Sequence, residues 1–109
     1  MLPKLVVVTP EGRRVYPLQL TVNGRKLEWL IIDPHFEKKH PYMNDEKIWG
    51  IVKFLDNKKF IPTTYKEKWD IFETNILYQP KNYRLVWCLE EDKNYLGIIH
   101  CYRKRKYDK

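Results

Sequence analysis

Residues 15–32 read VYPLQLTVNGRKLEWLII, and this stretch decides the fold. Asn23 and Gly24 tolerate the positive φ angles that a two-residue hairpin turn requires. The flanking segments, Val15–Val22 and Arg25–Ile32, are rich in β-branched and aromatic side chains, which favour strands. The pattern therefore predicts two antiparallel strands joined by a tight turn.

Further strands are predicted on both sides of this hairpin. Leu5–Val8 is a short apolar run that a Thr-Pro-Glu-Gly sequence ends. Trp69–Tyr78, Tyr83–Glu90 and Tyr95–Lys104 contain many β-forming residues and are separated by turn residues. The intervening residues 58–68 are basic, and we expect them to be irregular.

One helix is predicted between the two groups of strands. Asn44 is a suitable N-cap, and the acidic residues Asp45 and Glu46 in the first turn favour the helix dipole. Asn57 is a plausible end. Apolar residues fall at i, i+3, i+4 and i+7, which places them on one helical face: Ile48, Ile51, Val52 and Leu55.

The order of elements predicts an α+β fold, a mostly antiparallel sheet of about five to six strands with one main helix. The chain has 109 residues, of which 43% are hydrophobic, so it has enough apolar surface for a core. That length suits one domain spanning residues 1–109.

The charge balance predicts an anionic partner. Twenty-one Lys and Arg residues against 14 Asp and Glu give a formal net charge of +7. Nucleic acid is the first candidate and an acidic protein is the second. No apolar run approaches the roughly 20 residues of a membrane span, and no secretory signal is recognisable, so we expect a cytoplasmic protein without a membrane partner.

Cofactor chemistry has no support in the sequence. Cys88 and Cys101 form neither a disulfide framework nor a zinc-binding spacing. The sequence shows no glycine-rich phosphate loop, Ser-His-Asp pattern or paired-carboxylate motif. We therefore expect no metal or other cofactor, and a ribonuclease that needs only a base, an acid and cations remains a candidate.

The last hairpin yields a sharper prediction. Pairing Glu90 with Tyr95 across the turn places Arg84 and Arg103 together on the outer face and His100 on the core face. Two guanidinium groups held in a sheet match phosphate oxygens and would stabilise charge in a phosphodiester transition state. The alternative is a pair of solvated arginines on an exposed face.

The segment before the helix and the C-terminal tail supply the remaining candidates. Histidine is the side chain whose free pKa lies nearest neutral pH, so His40 suits proton transfer from a ribose 2′-hydroxyl. The alternative is a surface loop histidine. Tyr102 could stack on bases while neighbouring cations follow the phosphates, although a solvated strand end would look the same. The predicted RNA-binding cations are Lys39, Lys104, Arg105 and Lys106.

These features resemble the small toxins of the RelE/ParE superfamily, including the BrnT type. The resemblance is carried by Lys39-His40, the acidic-capped helix Asn44–Asn57, and the strands at 82–87 and 97–105. It implies a compact antiparallel sheet with helices on one side. It also implies a metal-independent mRNA endonuclease that often acts with the ribosome and is silenced by a cognate antitoxin. The implied site residues are His40, Lys39, Arg84, Tyr102 and Arg103.

The sequence and the resemblance together favour a small, basic, metal-independent mRNA endoribonuclease. RNA and an acidic antitoxin are its expected partners, with His40, Arg84, Arg103 and Tyr102 as catalytic residues. Two alternatives remain open: a non-catalytic nucleic-acid-binding module, and an interaction subunit that docks an acidic protein partner.

Overall fold

The computed structural model describes residues 2–36, 39–40 and 42–104. Within them, seven strands form one sheet in the order β1-β2-β3-β7-β6-β5-β4. One α-helix, α1 (Asp45–Val52), continues as a 3-10 turn (Lys53–Leu55), and a second 3-10 turn covers Pro34–Phe36. The strands are β1 (Val7–Val8), β2 (Arg14–Val22), β3 (Arg25–Ile32), β4 (Thr64–Lys66), β5 (Trp69–Tyr78), β6 (Lys81–Glu90) and β7 (Tyr95–Arg103).

The sheet is built from two antiparallel meanders that meet at a parallel junction. β1, β2 and β3 form the first meander, and β4, β5, β6 and β7 form the second. The junction pairs β3 with β7, from Trp29 opposite Tyr95 to Ile32 opposite Ile98. β7, the last strand along the described chain, therefore lies in the middle of the sheet.

This architecture corrects the predicted fold class. The RelE-like α+β fold with five to six mostly antiparallel strands and one main helix is wrong, because the described residues form a seven-stranded mixed sheet with one short helix. The parallel junction joins segments far apart in sequence, which local turn signals do not reveal. β4 also lies within the basic stretch predicted to be irregular. No helix among the described residues is both long and apolar enough to cross a membrane.

The local turn and cap predictions are confirmed. Asn23 and Gly24 have φ angles of 53° and 75° and connect β2 to β3. The Asn44 side chain accepts a hydrogen bond of 2.9 Å from the Lys47 main-chain N–H, as an N-cap residue does. Asn57, at φ 59°, lies just after the 3-10 turn that ends the helical segment.

One face of the sheet, which we call the helix face, packs against α1 and forms the core. Trp87 is fully buried there, stacks on Phe72 at 4.0 Å between ring centroids, and donates its indole N–H to Thr74. The helix contributes buried side chains from each of its turns: Ile48, Trp49, Ile51, Val52 and, from the 3-10 turn, Leu55.

A polar contact fixes the start of α1 on the helix face. Arg14 donates two hydrogen bonds of 2.7 Å to the Asp45 carboxylate, and the Tyr16 hydroxyl donates a third. Burial and the neighbouring Asp45 carboxylate raise the pKa of Tyr16 to about 12. The acidic first turn of α1 is thereby tied to β2, which sets the position of the segment that precedes the helix.

The opposite side of the sheet, which we call the open face, has a different composition. It carries alternate residues of the same strands, and its apolar side chains are only partly buried. Among the described residues, no helix packs across it. Its partly buried apolar members include Trp29, Ile31, Ile71, Val86, Cys88 and Ile99.

Candidate nucleic-acid interface on the open face

A β-bulge in the last hairpin decides which side chains share a face. Near the turn the predicted register is correct, since Cys88 lies opposite Gly97 and Trp87 opposite Ile98. Beyond that point the register shifts by one residue, so that Val86 lies opposite His100. Ile99 is the extra residue, and every side chain of β7 beyond it changes face relative to the prediction.

The bulge coincides with a change of neighbour along β7. The parallel pairing with β3 ends at Ile98, whose carbonyl also accepts the main-chain N–H of Asp33. Beyond this point β7 contacts the segment before α1, where the Tyr42 hydroxyl accepts the Arg103 main-chain N–H at 3.0 Å. On the edge of β7 away from β6, the first half therefore pairs with β3 and the second half contacts the segment before α1. The bulge lies between the two halves.

The predicted arginine pair is wrong as a geometric proposal. Arg103 lies opposite Tyr83, at a register position of the helix face, whereas Arg84 lies opposite Tyr102 on the open face. Arg84 also forms an ion pair of 3.2 Å with Glu73 and a hydrogen bond of 3.3 Å to Asn75. The two side chains therefore leave opposite faces of the sheet, and the predicted pairing on one face does not form.

The same bulge moves His100 from its predicted core position to the open face, opposite Val86. His100 was not predicted as a site residue, because nothing in the run Ile98-Ile99-His100 marks a bulge. His40 reaches the same area from the segment before α1, and its ring stacks on Tyr102 with centroids 5.2 Å apart and planes 19° apart. We call His40, His100 and Tyr102 the histidine cluster.

The ring of His40 is held from a second side. Tyr42 meets it edge-on at 5.9 Å between centroids, and the Tyr42 hydroxyl lies 3.4 Å from Nδ1. That hydroxyl already accepts the Arg103 N–H, so its own hydrogen is available to the imidazole. His40 lies in a loop, but its ring is positioned by β7, directly through Tyr102 and indirectly through Tyr42.

The surroundings of His40 favour its neutral form. Partial burial, then the nearby charges of His100 and Lys39, lower the pKa of His40 below its ordinary value of 6.5. A neutral imidazole at neutral pH can accept a proton, which is what a general base must do.

The predicted cations are distributed around this cluster. Lys39 is exposed beside His40, and the Lys104 main-chain N–H donates to the Asn82 carbonyl at 2.7 Å, which fixes the end of β7. Arg105 and Lys106 lie outside the described residues. Arg84, opposite Tyr102, adds a partly exposed guanidinium group to the open face.

Thiol and metal chemistry find little support in the described part of the chain. Burial raises the pKa of Cys88 to about 11 and that of Cys101 to about 12, so both thiols stay protonated at neutral pH. They lie on opposite faces as free cysteines. Residues 2–36, 39–40 and 42–104 contain no group of three or more His, Cys, Asp or Glu side chains that could hold a metal ion.

Comparison with known proteins adds no assignment: no family model matches this chain, and neither a curated protein nor a solved structure matches it.

Proposed function

We propose that this chain is a small endoribonuclease that binds RNA on the open face and cleaves it without a metal ion. The observation that supports the proposal most is the histidine cluster, in which the stacked ring of His40 lies close enough to His100 for the two to interact electrostatically. The net charge of +7 favours a polyanionic substrate. The opposed pair of Arg84 and Tyr102 provides a cation and an aromatic ring beside the imidazoles.

The proposed reaction uses the two histidines as base and acid. His40 takes the proton of a ribose 2′-hydroxyl, and the 2′-oxygen attacks the adjacent phosphorus. The bond from phosphorus to the 5′-oxygen breaks, and His100 gives that oxygen a proton. The products are a 2′,3′-cyclic phosphate and a 5′-hydroxyl, so atoms and protons balance. Arg84 stabilises the charge on the non-bridging phosphate oxygens, and Lys39 and Lys104 contact flanking phosphates.

The test is incubation of the purified protein with single-stranded RNA in the presence of a chelator. We expect discrete fragments ending in 2′,3′-cyclic phosphate, and no cleavage at a position whose ribose lacks the 2′-hydroxyl. His40→Ala and His100→Ala should each reduce the rate about 10²–10⁴-fold. His35→Ala is the matched control, since His35 is exposed and pairs with Asp33. Wild-type protein that leaves the RNA intact, or His40→Ala that cleaves normally, would contradict the proposal.

A non-catalytic RNA-binding role is the second candidate, favoured by the ion pair of Arg84 with Glu73, which occupies part of the guanidinium group. In that case the same assay gives RNA binding that weakens steeply with salt, but no fragments. Removal of residues 103–109 should then weaken binding and reduce its salt dependence.

The mRNA substrate and the acidic antitoxin remain predictions that came from the resemblance. The charge of +7 also suits an interaction subunit that docks an acidic protein. A short acidic reading frame beside this one, whose product binds the purified protein and blocks RNA cleavage, would support an inhibitory partner. Binding of that product without any RNA activity in the free protein would favour the interaction subunit.

A further inference from the structure

A second feature of the open face is a cavity of about 390 Å³. Its floor consists of side chains from the centre of the sheet, including Ile31, Ile71 and Cys88, together with the backbone of Gly97. One rim carries Arg13, from the turn after β1, beside Asp33, and the other carries Lys66, at the end of β4, beside Glu67. Trp69 and Tyr95 supply aromatic walls.

The geometry points to this cavity as a subsite for one nucleobase of the RNA strand, an inference that rests on the proposed function. Cys88 in the cavity and Arg84 beside the histidine cluster lie on the same face of β6. They are four residues apart, which corresponds to about 13 Å along a strand. One strand of RNA running along β6 and β7 would therefore reach both places.

The lining matches the chemistry of a base and its phosphates. Nucleobases have flat π surfaces that stack on aromatic side chains, and single-strand binders combine such stacking with cations along the backbone. Here Trp69 donates its indole N–H to the Tyr95 hydroxyl at 3.0 Å, which holds the two aromatic residues together. The Arg13 side chain is half exposed, and its Nε lies 3.8 Å from the Asp33 Oδ2. The two terminal nitrogens of its guanidinium group can therefore donate to a phosphate.

Other occupants fit the cavity less well. A second copy of the chain would bring another net charge of +7 to a molecule that already carries +7. An acidic peptide would meet the carboxylates of Asp33 and Glu67 at the rims, and the cavity volume lies at the low end even for a small-molecule site. The position beside the histidine cluster favours the substrate itself.

Cys88 allows the cavity to be blocked reversibly. Benzyl methanethiosulfonate reacts with thiolates, so the reaction is run with excess reagent at mildly alkaline pH, where a small fraction of Cys88 is ionised. It should modify Cys88, which is partly accessible, and spare Cys101, which is fully buried on the helix face. We expect the modified protein to bind short fluorescent single-stranded RNAs of one base type about tenfold more weakly, because one stacked base is lost. Reduction of the mixed disulfide should restore binding. The matched control is Cys88→Ser, whose RNA affinity should be the same before and after treatment with the reagent.

A second variant covers the case in which the modified protein unfolds, as its melting temperature would show. Lys66→Gln removes one exposed rim cation, and Lys53→Gln removes one exposed cation from the helix side. We expect Lys66→Gln to weaken RNA binding about twofold and Lys53→Gln to have a smaller effect. Equal effects of the two variants would overturn the subsite.

An experiment with nucleoside 5′-monophosphates tests the subsite independently of the proposed ribonuclease activity. Protection of Cys88 from the reagent by these nucleotides would support the subsite even if RNA is not cleaved. Unchanged RNA binding by the modified protein, with cleavage still dependent on His40, would overturn the subsite and leave the proposed function standing. Protection of Cys88 by an acidic amphipathic peptide but not by nucleotides would overturn it in favour of a protein partner.

Discussion

The two faces of the sheet use the same strands for different purposes. On β6, Leu85 and Trp87 point into the core and are completely buried, whereas their neighbours Arg84, Val86 and Cys88 face the opposite side and remain partly accessible. The helix face is closed by α1 and held by apolar packing. The open face combines apolar, aromatic and charged side chains of both signs without such a cover among the described residues, so the two faces differ in how tightly they are packed.

The largest change in the free energy of unfolding is expected from a comparison of two adjacent residues of β6, one on each face. Leu85→Ala should lower the free energy of unfolding by about 3 kcal/mol, because it leaves a cavity in the closed core. Val86→Ala should lower it by about 1 kcal/mol, since its side chain is only partly buried. Urea unfolding measures both. Equal losses would mean that the open face is as closely packed as the core.

A smaller loss of stability is expected at Gly97, where the open face is closely packed against Cys88. A Cβ atom at Gly97 would lie 2.8 Å from the Cys88 Sγ, so Gly97→Ala should destabilise the protein by about 1 kcal/mol. In the Cys88→Ala background the same change should have little effect. Urea unfolding of the two single variants and the double variant gives the coupling energy, and its absence would show that the thiol simply rotates away.

Alkaline pH tests one tyrosine on each face. Burial, assisted by the Asp45 carboxylate for Tyr16 and by a hydrogen bond to Glu90 for Tyr95, raises both pKa values to about 12. Above pH 10 the unfolded chain loses these tyrosine protons before the folded protein does. Stability should therefore fall as the pH rises from 10 towards 12.

Urea unfolding over this pH range measures the slope of stability against pH. Tyr16→Phe and Tyr95→Phe should each flatten it, whatever they do to the stability at neutral pH. A slope unchanged by Tyr95→Phe would show that the open-face tyrosine is more solvated than its neighbour on the helix face.

The smallest expected effect concerns the ion pair on the open face. Glu73→Gln removes the carboxylate beside Arg84 and should change the free energy of unfolding by less than about 0.5 kcal/mol, as exposed ion pairs contribute little. It should strengthen RNA binding about twofold by releasing the guanidinium group. Glu46→Gln is the matched control, because it makes the same change in net charge on the exposed side of α1. Equal gains from both variants would indicate a general charge effect.

Most of the local structure was predictable from the sequence because its causes are local. Asn23-Gly24 fixed the first hairpin through its backbone preferences, and Asn44 fixed the start of α1 through its side-chain cap. The parallel pairing of β3 with β7 was not predictable, because its hydrogen bonds join residues with no local signal. β4 was missed for a similar reason: its three exposed residues form a strand only because β5 lies beside them.

The candidate site was predictable only in part. His40 and Tyr102 were identified by residue type, and the structure brings them into contact. Arg84 and Arg103 were wrongly paired, and His100 was wrongly assigned to the core, for a single reason. One bulged residue, Ile99, reverses the faces of all later residues of β7, and it lies where β7 stops pairing with β3 and meets the segment before α1.

The central position of β7 also has a consequence for how the protein is made. During synthesis, β3 and β6 are complete before β7 leaves the ribosome, yet neither can pair on its inner edge until β7 arrives. The inner edge of β3 therefore stays unpaired while residues 33–94 are made, and that of β6 stays unpaired while residues 91–94 are made. A chain interrupted just before β7 would be left as two separate meanders, prone to associate with other copies.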